Sequence, residues 1–258
     1  MALLFQVGTG VAVAAVLGWI PGLRPGWALV NLLVLLILSR LLTALEGVSL
    51  ASLGLAFGPR WAREFAMGLG IGAGVILGSA LLLALAGGVR FRLGAGPLVW
   101  PLLTGALFYL LPAVNEELAY RGYSFQRVTR RLGGKAALLL LSVLFALAHR
   151  ANPNLGGSVA WLSLVNIGLA GVLLGLGQLR TGSLALPMGI HLAWNWAQGP
   201  LLGFGVSGHA EHGLLVPTLA QKPLWLTGGA FGLEGSILCS AMAILACFLV
   251  ARYRPKAS

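Results

Sequence analysis

Long apolar runs alternate with short polar breaks along almost the whole chain. Eight of these runs are long enough, at roughly 20 residues per crossing, to span a bilayer as helices. They lie at about 3–20, 27–47, 65–87, 97–120, 134–149, 159–179, 183–198 and 230–251. Gly- and Pro-rich turns, such as PGLRPG at 21–26, separate them. The pattern predicts an all-α polytopic integral membrane protein with about eight transmembrane helices.

The composition supports this class. Of the 258 residues, 58% are hydrophobic and 9% are charged, whereas soluble domains carry about 25% charged residues. The composition therefore excludes a soluble globular protein. Because the eight runs occupy most of the chain, we expect a single polytopic membrane domain over residues 1–258, with no separate soluble domain.

The net charge of +11 comes from basic residues scattered over the loops. Basic loop residues are enriched on the cytoplasmic side of membrane proteins. With eight spans, the side that holds both termini collects Arg60, Arg63, Arg127, Arg130, Arg131, Lys135, Arg180, Arg252, Arg254 and Lys256. The other side has Arg24, Arg90, Arg92, Arg150 and Lys222. We expect a multi-pass protein of the cell membrane with both termini in the cytoplasm, and no nucleic-acid partner.

The third apolar run contains Gly70, Gly74 and Gly78 at four-residue spacing. Small residues at this spacing let two helices approach closely in lipid. The spacing predicts that this face of the third helix packs against a neighbouring helix.

A few polar residues lie inside the apolar runs, where burial of an ionisable group is costly and usually serves function. Those that can carry chemistry are Glu116, Glu117, His149, His191 and Asn195, with Arg121 directly after the fourth run. A carboxylate, two imidazoles and an amide can supply a general base and hydrogen-bond donors for a developing oxyanion. These residues are the candidate site.

A turn at Gly133-Gly134 brings two of these residues to the same depth. Glu116 lies 17 residues before Gly133 and His149 lies 15 residues after Gly134. If the fourth helix continues unbroken to the turn, both stand roughly 22–26 Å from it at ~1.5 Å per residue. The spacing therefore predicts that Glu116 and His149 are level, provided that no kink at Gly122 shifts the register.

Helical spacing separates the roles of the two glutamates. Neighbouring residues on a helix point about 100° apart, and Glu117 is spaced i,i+4 from Arg121, which favours an ion pair. We expect Glu117 and Arg121 to form a structural ion pair, which leaves Glu116 free to face a cavity. The alternative is a neutral, hydrogen-bonded Glu116.

The two histidines also have structural alternatives. His191 and Asn195 share one helix face by their i,i+4 spacing, so both can grip one oxyanion or simply lock the helix bundle by hydrogen bonds. His149, which precedes Arg150 and a loop, can be a packing residue.

We expect no cofactor, although a metal ion is not excluded. Two imidazoles and a carboxylate are a possible zinc ligand set, but the chain has no HExxH sequence. His209, Glu211 and His212 lie together in the long 199–229 break, where we favour a solvated loop over a metal site. Glu234, at the start of the last run, suits a helix N-terminus.

Three motifs in these segments resemble those of a known family. EELAYR at 116–121, FALAH at 145–149 and HLAWN at 191–195 are similar to the EExxxR, FxxxH and HxxxN motifs of the CPBP family, also called the CAAX protease or Abi family. The resemblance covers about 97–198 and extends to the tail, where VSG at 206–208 and LTGGAFGLEGS at 226–236 look like a bacterial subset.

The resemblance implies an activity and roles for four residues. The family's best-known members, the type II CAAX prenyl endopeptidases, hydrolyse peptide bonds of prenylated proteins within the membrane. By motif, Glu116 and His149 would activate water, and His191 and Asn195 would stabilise the oxyanion, without a metal. The active-site cavity would then lie between helices four, five and seven.

The expected function is thus an intramembrane endopeptidase that hydrolyses a hydrophobic or lipidated peptide in contact with membrane lipid. Two alternatives belong to other classes. One is a non-catalytic peptide-binding or bacteriocin-immunity membrane protein. The other is a proton-coupled transporter, since buried Glu and His also suit proton relays; transporters often show inverted repeats, and we find none in the sequence.

Overall fold

The computed structural model describes residues 25–96 and 99–254 of the chain. The helices within them are α1 Pro25–Leu45, α2 Pro59–Leu85, α3 Val99–Glu117, α4 Tyr123–Leu132, α5 Gly134–Ala148, α6 Ala160–Thr181, α7 Ala185–Trp196, α8 Leu224–Thr227 and α9 Ile237–Arg252. Two π-helical turns, Leu118–Gly122 and Ala197–Leu201, follow α3 and α7. The strands β1 Val89–Leu93 and β2 Leu215–Leu219 pair antiparallel.

The helices confirm the all-α membrane class. Within the described ranges, four helices are long and apolar enough to cross a bilayer, and α9 is a shorter apolar helix. The four are Ala28–Leu45, Pro59–Leu85, Gly134–Ala151 and Gly157–Thr181. The predicted span at 3–20 lies outside the described residues, so the count of eight and the single domain over the whole chain stay predictions.

Helix α7 lies at the centre of the bundle, with all its residues from Ala185 to Asn195 buried. Its backbone touches that of α2. A Cβ atom added at Gly68 would stand 2.3 Å from the Leu186 carbonyl oxygen, and one at Gly72 would stand 2.1 Å from that of Ile190. Only glycine permits this approach, which fixes the position of α7 and of the histidine on it.

The expected close packing at Gly70 and Gly74 is not found among the described residues. A Cβ atom at either position would meet no described atom within 4 Å, whereas one at Gly78 would contact Met242. The close approach uses Gly68 and Gly72 on a different stripe of α2. A four-residue spacing marks a stripe of the helix, and α2 carries two such stripes of glycine that spacing alone cannot rank.

The fourth predicted helix does not continue unbroken to the Gly133-Gly134 turn. It passes through the π turn after Glu117 and breaks at Gly122, whose ψ of −120° is not helical. The short polar helix α4 then begins, and its Arg127 forms an ion pair with Glu46 after α1. A π turn holds an extra residue in one turn, so the helix changes direction before the turn at Gly133.

Candidate active site

The two neighbouring glutamates at the end of α3 have different surroundings. The Glu117 side chain is fully buried, while that of Glu116 is 33% exposed. Successive helix positions point about 100° apart, so the Glu117 carboxylate enters the bundle while the Glu116 side chain stays partly exposed. The π turn begins at the next residue, and such turns are frequent at functional sites.

Glu117 contacts both an arginine and a histidine. Its Oε1 atom accepts a hydrogen bond from Arg121 Nη1 at 3.1 Å and lies 2.8 Å from His191 Nδ1. Arg121 also donates to the Gly171 carbonyl on α6 and covers the Phe145 ring, with 4.4 Å from Cζ to the ring centroid. The Glu117–Arg121 pair therefore extends beyond the expected structural contact, because it also orients the His191 ring.

His149 begins the short 3₁₀ turn His149–Ala151 after α5. Its Nδ1 atom lies 2.7 Å from the Phe145 carbonyl oxygen. A carbonyl oxygen only accepts, so Nδ1 carries a proton and a neutral His149 has its lone pair on Nε2. That lone pair makes Nε2 available as a base.

Glu116 lies between the two imidazoles. Its Oε2 atom is 3.9 Å from His149 Nε2 and 3.8 Å from His191 Nε2. Both distances exceed a direct hydrogen bond, and this oxygen is buried without a hydrogen-bond partner among the described residues. The structure thus brings Glu116 level with His149 despite the break at Gly122.

A cavity adjoins these groups. His149, His191 and Asn195 line it, and α6 supplies most of its apolar wall, with Ile167, Ala170, Leu173 and Leu174. The cavity was expected between the fourth, fifth and seventh predicted spans, and this expectation is corrected. Its helical walls come from α5, α6 and α7, which correspond to the fifth, sixth and seventh predicted spans. Glu116, on the fourth, approaches both imidazoles but is not among the lining residues.

Residues 98–197 match the Rce1-like family, described as type II CAAX prenyl endopeptidase Rce1-like. The chain carries an Rce1-like domain. The match confirms the resemblance drawn from the three motifs, all of which fall inside it, and the description names a peptide hydrolase of the CAAX protease type. No curated protein and no solved structure is significantly similar to the chain.

Outside the Rce1-like domain, Glu234 belongs to the cavity wall, which was not expected. It lies in the 3₁₀ turn Leu233–Gly235 rather than at the N-terminus of the last helix, where Ser236 caps α9 by accepting from the Cys239 N–H. Its carboxylate binds Trp194 and Ser207 instead. The signal available in the sequence was a lone carboxylate in the Gly-rich run LTGGAFGLEGS.

The loop trio after α7 is only partly solvated. His209 and His212 are exposed, whereas Glu211 is half-buried and accepts a hydrogen bond from the Tyr109 hydroxyl on α3. That bond ties the loop to the helix that carries Glu116. Across the described ranges, no group of three or more His, Cys, Asp or Glu side chains is placed to hold a metal ion.

Proposed function

We propose that this chain is an intramembrane endopeptidase that hydrolyses a peptide bond of a hydrophobic or lipidated peptide. The observation that carries the proposal is the position of Glu116 Oε2, within 4 Å of Nε2 on both His149 and His191. The Rce1-like domain around these residues supports it, and so does the cavity beside them, which His149, His191 and Asn195 line.

Water activation is assigned to Glu116 and His149. Glu116 Oε2 and His149 Nε2 are 3.9 Å apart, a separation at which one water molecule can hydrogen-bond to both atoms at about 2.8 Å. Either of these two atoms can accept a proton from the water molecule while the water oxygen attacks the carbonyl carbon of the peptide. The same proton then passes to the leaving amine as the C–N bond breaks.

His191 and Asn195 are assigned to the oxyanion of the tetrahedral intermediate. They stand one turn apart on α7 and both line the cavity. Asn195 can donate from its amide nitrogen. His191, whose Nδ1 faces Glu117, can donate from Nε2 when both ring nitrogens carry a proton. Because α7 is packed backbone to backbone against α2, these donors are held in place before the charge develops, which favours catalysis.

The proposed enzyme lies in the cell membrane with both termini and the α4–α5 turn in the cytoplasm, as the excess of basic loop residues favours. Single cysteines at Arg131 and at Ala210, both exposed, test this orientation in a chain whose Cys239 and Cys247 are replaced by alanine. An impermeant maleimide should label the two positions from opposite sides of sealed vesicles. Labelling of both from one side would refute the arrangement.

A peptide library tests the activity. Purified protein in proteoliposomes is incubated with fatty-acylated, farnesylated and unmodified quenched peptides, and mass spectrometry identifies the products. We expect the wild type to cleave some of them and Glu116→Gln, which removes the proton acceptor and keeps the shape, to cleave none while melting at a similar temperature. Near-normal activity of Glu116→Gln would refute the assigned base. Peptide binding without any cleavage by the wild type would favour the non-catalytic alternative.

A further inference from the structure

The cavity carries a second polar wall, formed by Ser207 and Glu234, that the motif residues do not include. Glu234 Oε1 accepts from the Trp194 indole N–H at 3.0 Å. Its Oε2 accepts from the Ser207 backbone N–H at 2.7 Å and from the Ser207 hydroxyl at 3.1 Å. Three donors stabilise this carboxylate. No Lys or Arg is among the described residues that line the cavity, so no permanently charged cation in the lining pairs with this carboxylate.

The wall is held rigidly. Ser207 has a φ of 49°, which is uncommon for a residue with a Cβ, and such strain persists only where the surroundings impose it. The next residue, Gly208, accepts from the Asn154 amide at 2.7 Å and donates to the Phe231 carbonyl oxygen at 3.1 Å. Two loops therefore clamp the turn that presents Ser207 to Glu234.

The two walls differ in the hydrogen bonds that they can offer a substrate. On α7, Asn195 and His191 can supply donors. The Ser207 hydroxyl donates its hydrogen bond to Glu234. Only the lone pairs of the hydroxyl and of the carboxylate therefore remain to bind another molecule. This second wall can therefore only accept hydrogen bonds, and it adds a negative charge.

We infer that the Glu234 carboxylate, held by Ser207, forms a specificity-determining subsite that rejects carboxylates and accepts neutral or cationic groups beside the scissile bond. The inference rests on the proposed function, because it assumes that a peptide occupies this cavity during cleavage. Two like charges brought together away from bulk water repel strongly. An acidic residue next to the scissile bond should lower kcat/KM by at least about tenfold relative to its amide.

A charge scan of one cleaved peptide tests the inference. A fatty-acylated quenched peptide that the wild type cleaves is made with Gln, Glu or Lys at each position on either side of the cleavage site. At one position or more, the Gln peptide should be cleaved at least about tenfold better than the Glu peptide, and the Lys peptide no worse than the Gln peptide. A Gln-to-Glu ratio within twofold at every position would overturn the inference.

Variants assign the effect to Glu234. Glu234→Gln should reduce the Gln-to-Glu ratio to below about threefold, whereas the control Ser207→Ala, which keeps the carboxylate, should retain it. In Glu234→Gln, the new amide must set its NH₂ against a donor of Trp194 or Ser207. The double variant Trp194→Phe with Glu234→Gln removes that conflict and repeats the test if the single variant does not fold.

The results separate the subsite from the activity. An unchanged ratio in the folded Glu234 variant would assign the discrimination to another charge and overturn the inference, while cleavage that depends on Glu116 would leave the proposed function intact. Failure of the wild type to cleave any library peptide would instead remove the proposed function, and the subsite with it.

Discussion

Two buried carboxylates hold α7, and they come from different parts of the chain. Glu117, on α3 inside the Rce1-like domain, binds His191, while Glu234, in the segment before α9, binds Trp194. The first is paired with Arg121, which is itself buried. The second is stabilised by hydrogen-bond donors alone. One carboxylate is thus charge-compensated, and the other leaves a net negative charge in the cavity wall.

The difference indicates a division of tasks along one helix. A compensated carboxylate can orient the His191 ring without placing net charge beside the reacting carbonyl, where it would oppose an oxyanion. An uncompensated carboxylate acts on whatever the cavity binds. The comparison predicts that changes at Glu117 alter stability and turnover, and that changes at Glu234 alter the choice of substrate.

The largest effect is expected from Glu117→Gln, which breaks the compensated site. It leaves the Arg121 guanidinium buried without its carboxylate, and loss of one partner of a buried pair costs about 3–5 kcal/mol. The free energy of unfolding, or the melting temperature in detergent, measures the loss.

Glu64→Gln is the matched control, because Arg60 and Glu64 also pair at i,i+4 spacing, in the reverse order and with Arg60 44% exposed. Solvent can compensate the Arg60 charge after that substitution, so the loss should be smaller. Equal losses in the two variants would contradict the view that burial of Arg121 makes Glu117 structural as well as orienting.

Asn195→Ala tests the next effect, at the residue of α7 that directly follows the two contacts. Asn195 directly follows Trp194 and stands one turn after His191. Loss of one oxyanion donor typically lowers kcat about 10²–10³-fold with little change in substrate binding. Asn195→Asp, if ionised, should be slower still, since it sets a negative charge against the oxyanion.

Melting temperature beside single-turnover rates distinguishes catalysis from helix packing at Asn195. If Asn195 only packs, Asn195→Ala should melt earlier while its folded fraction cleaves at the wild-type rate. That result would remove Asn195 from the oxyanion site and leave His191 as its donor.

The contacts of Glu117 were easier to predict than those of Glu234 for a physical reason. Residues four apart on a helix meet whatever the rest of the fold does, so the sequence was enough to predict the Glu117–Arg121 pair. Glu116 and His149 also meet as predicted, although the unbroken helix on which that prediction depended is interrupted at Gly122. Glu234 meets partners that are 27 and 40 residues away in sequence, and only the folded loop sets such contacts.

The path of the backbone was the other part that spacing did not predict. The break at Gly122 depends on a π turn, and a single extra residue in a turn leaves no mark in the hydrophobic pattern. The cavity walls depend on how α6 packs beside α7, which a list of apolar runs does not contain. The set of candidate residues was therefore predictable, while the shape of the cavity around them was not.

Metal removal is expected to have no effect on cleavage, and this prediction tests the role that the comparison gives to Glu117 at His191. A zinc ion would need both Nε2 atoms and a carboxylate oxygen within about 2.0–2.2 Å of one point. The Glu117–His191 contact would then be a carboxylate that orients a metal ligand, rather than one that orients a hydrogen-bond donor. We expect cleavage to survive prolonged dialysis against a strong chelator, with less than one metal per chain by elemental analysis. Loss of activity on chelation with recovery on adding zinc would make both histidines ligands. Glu117 would still contact His191 in that case, but its role would change. It would orient a zinc ligand instead of a hydrogen-bond donor for the oxyanion.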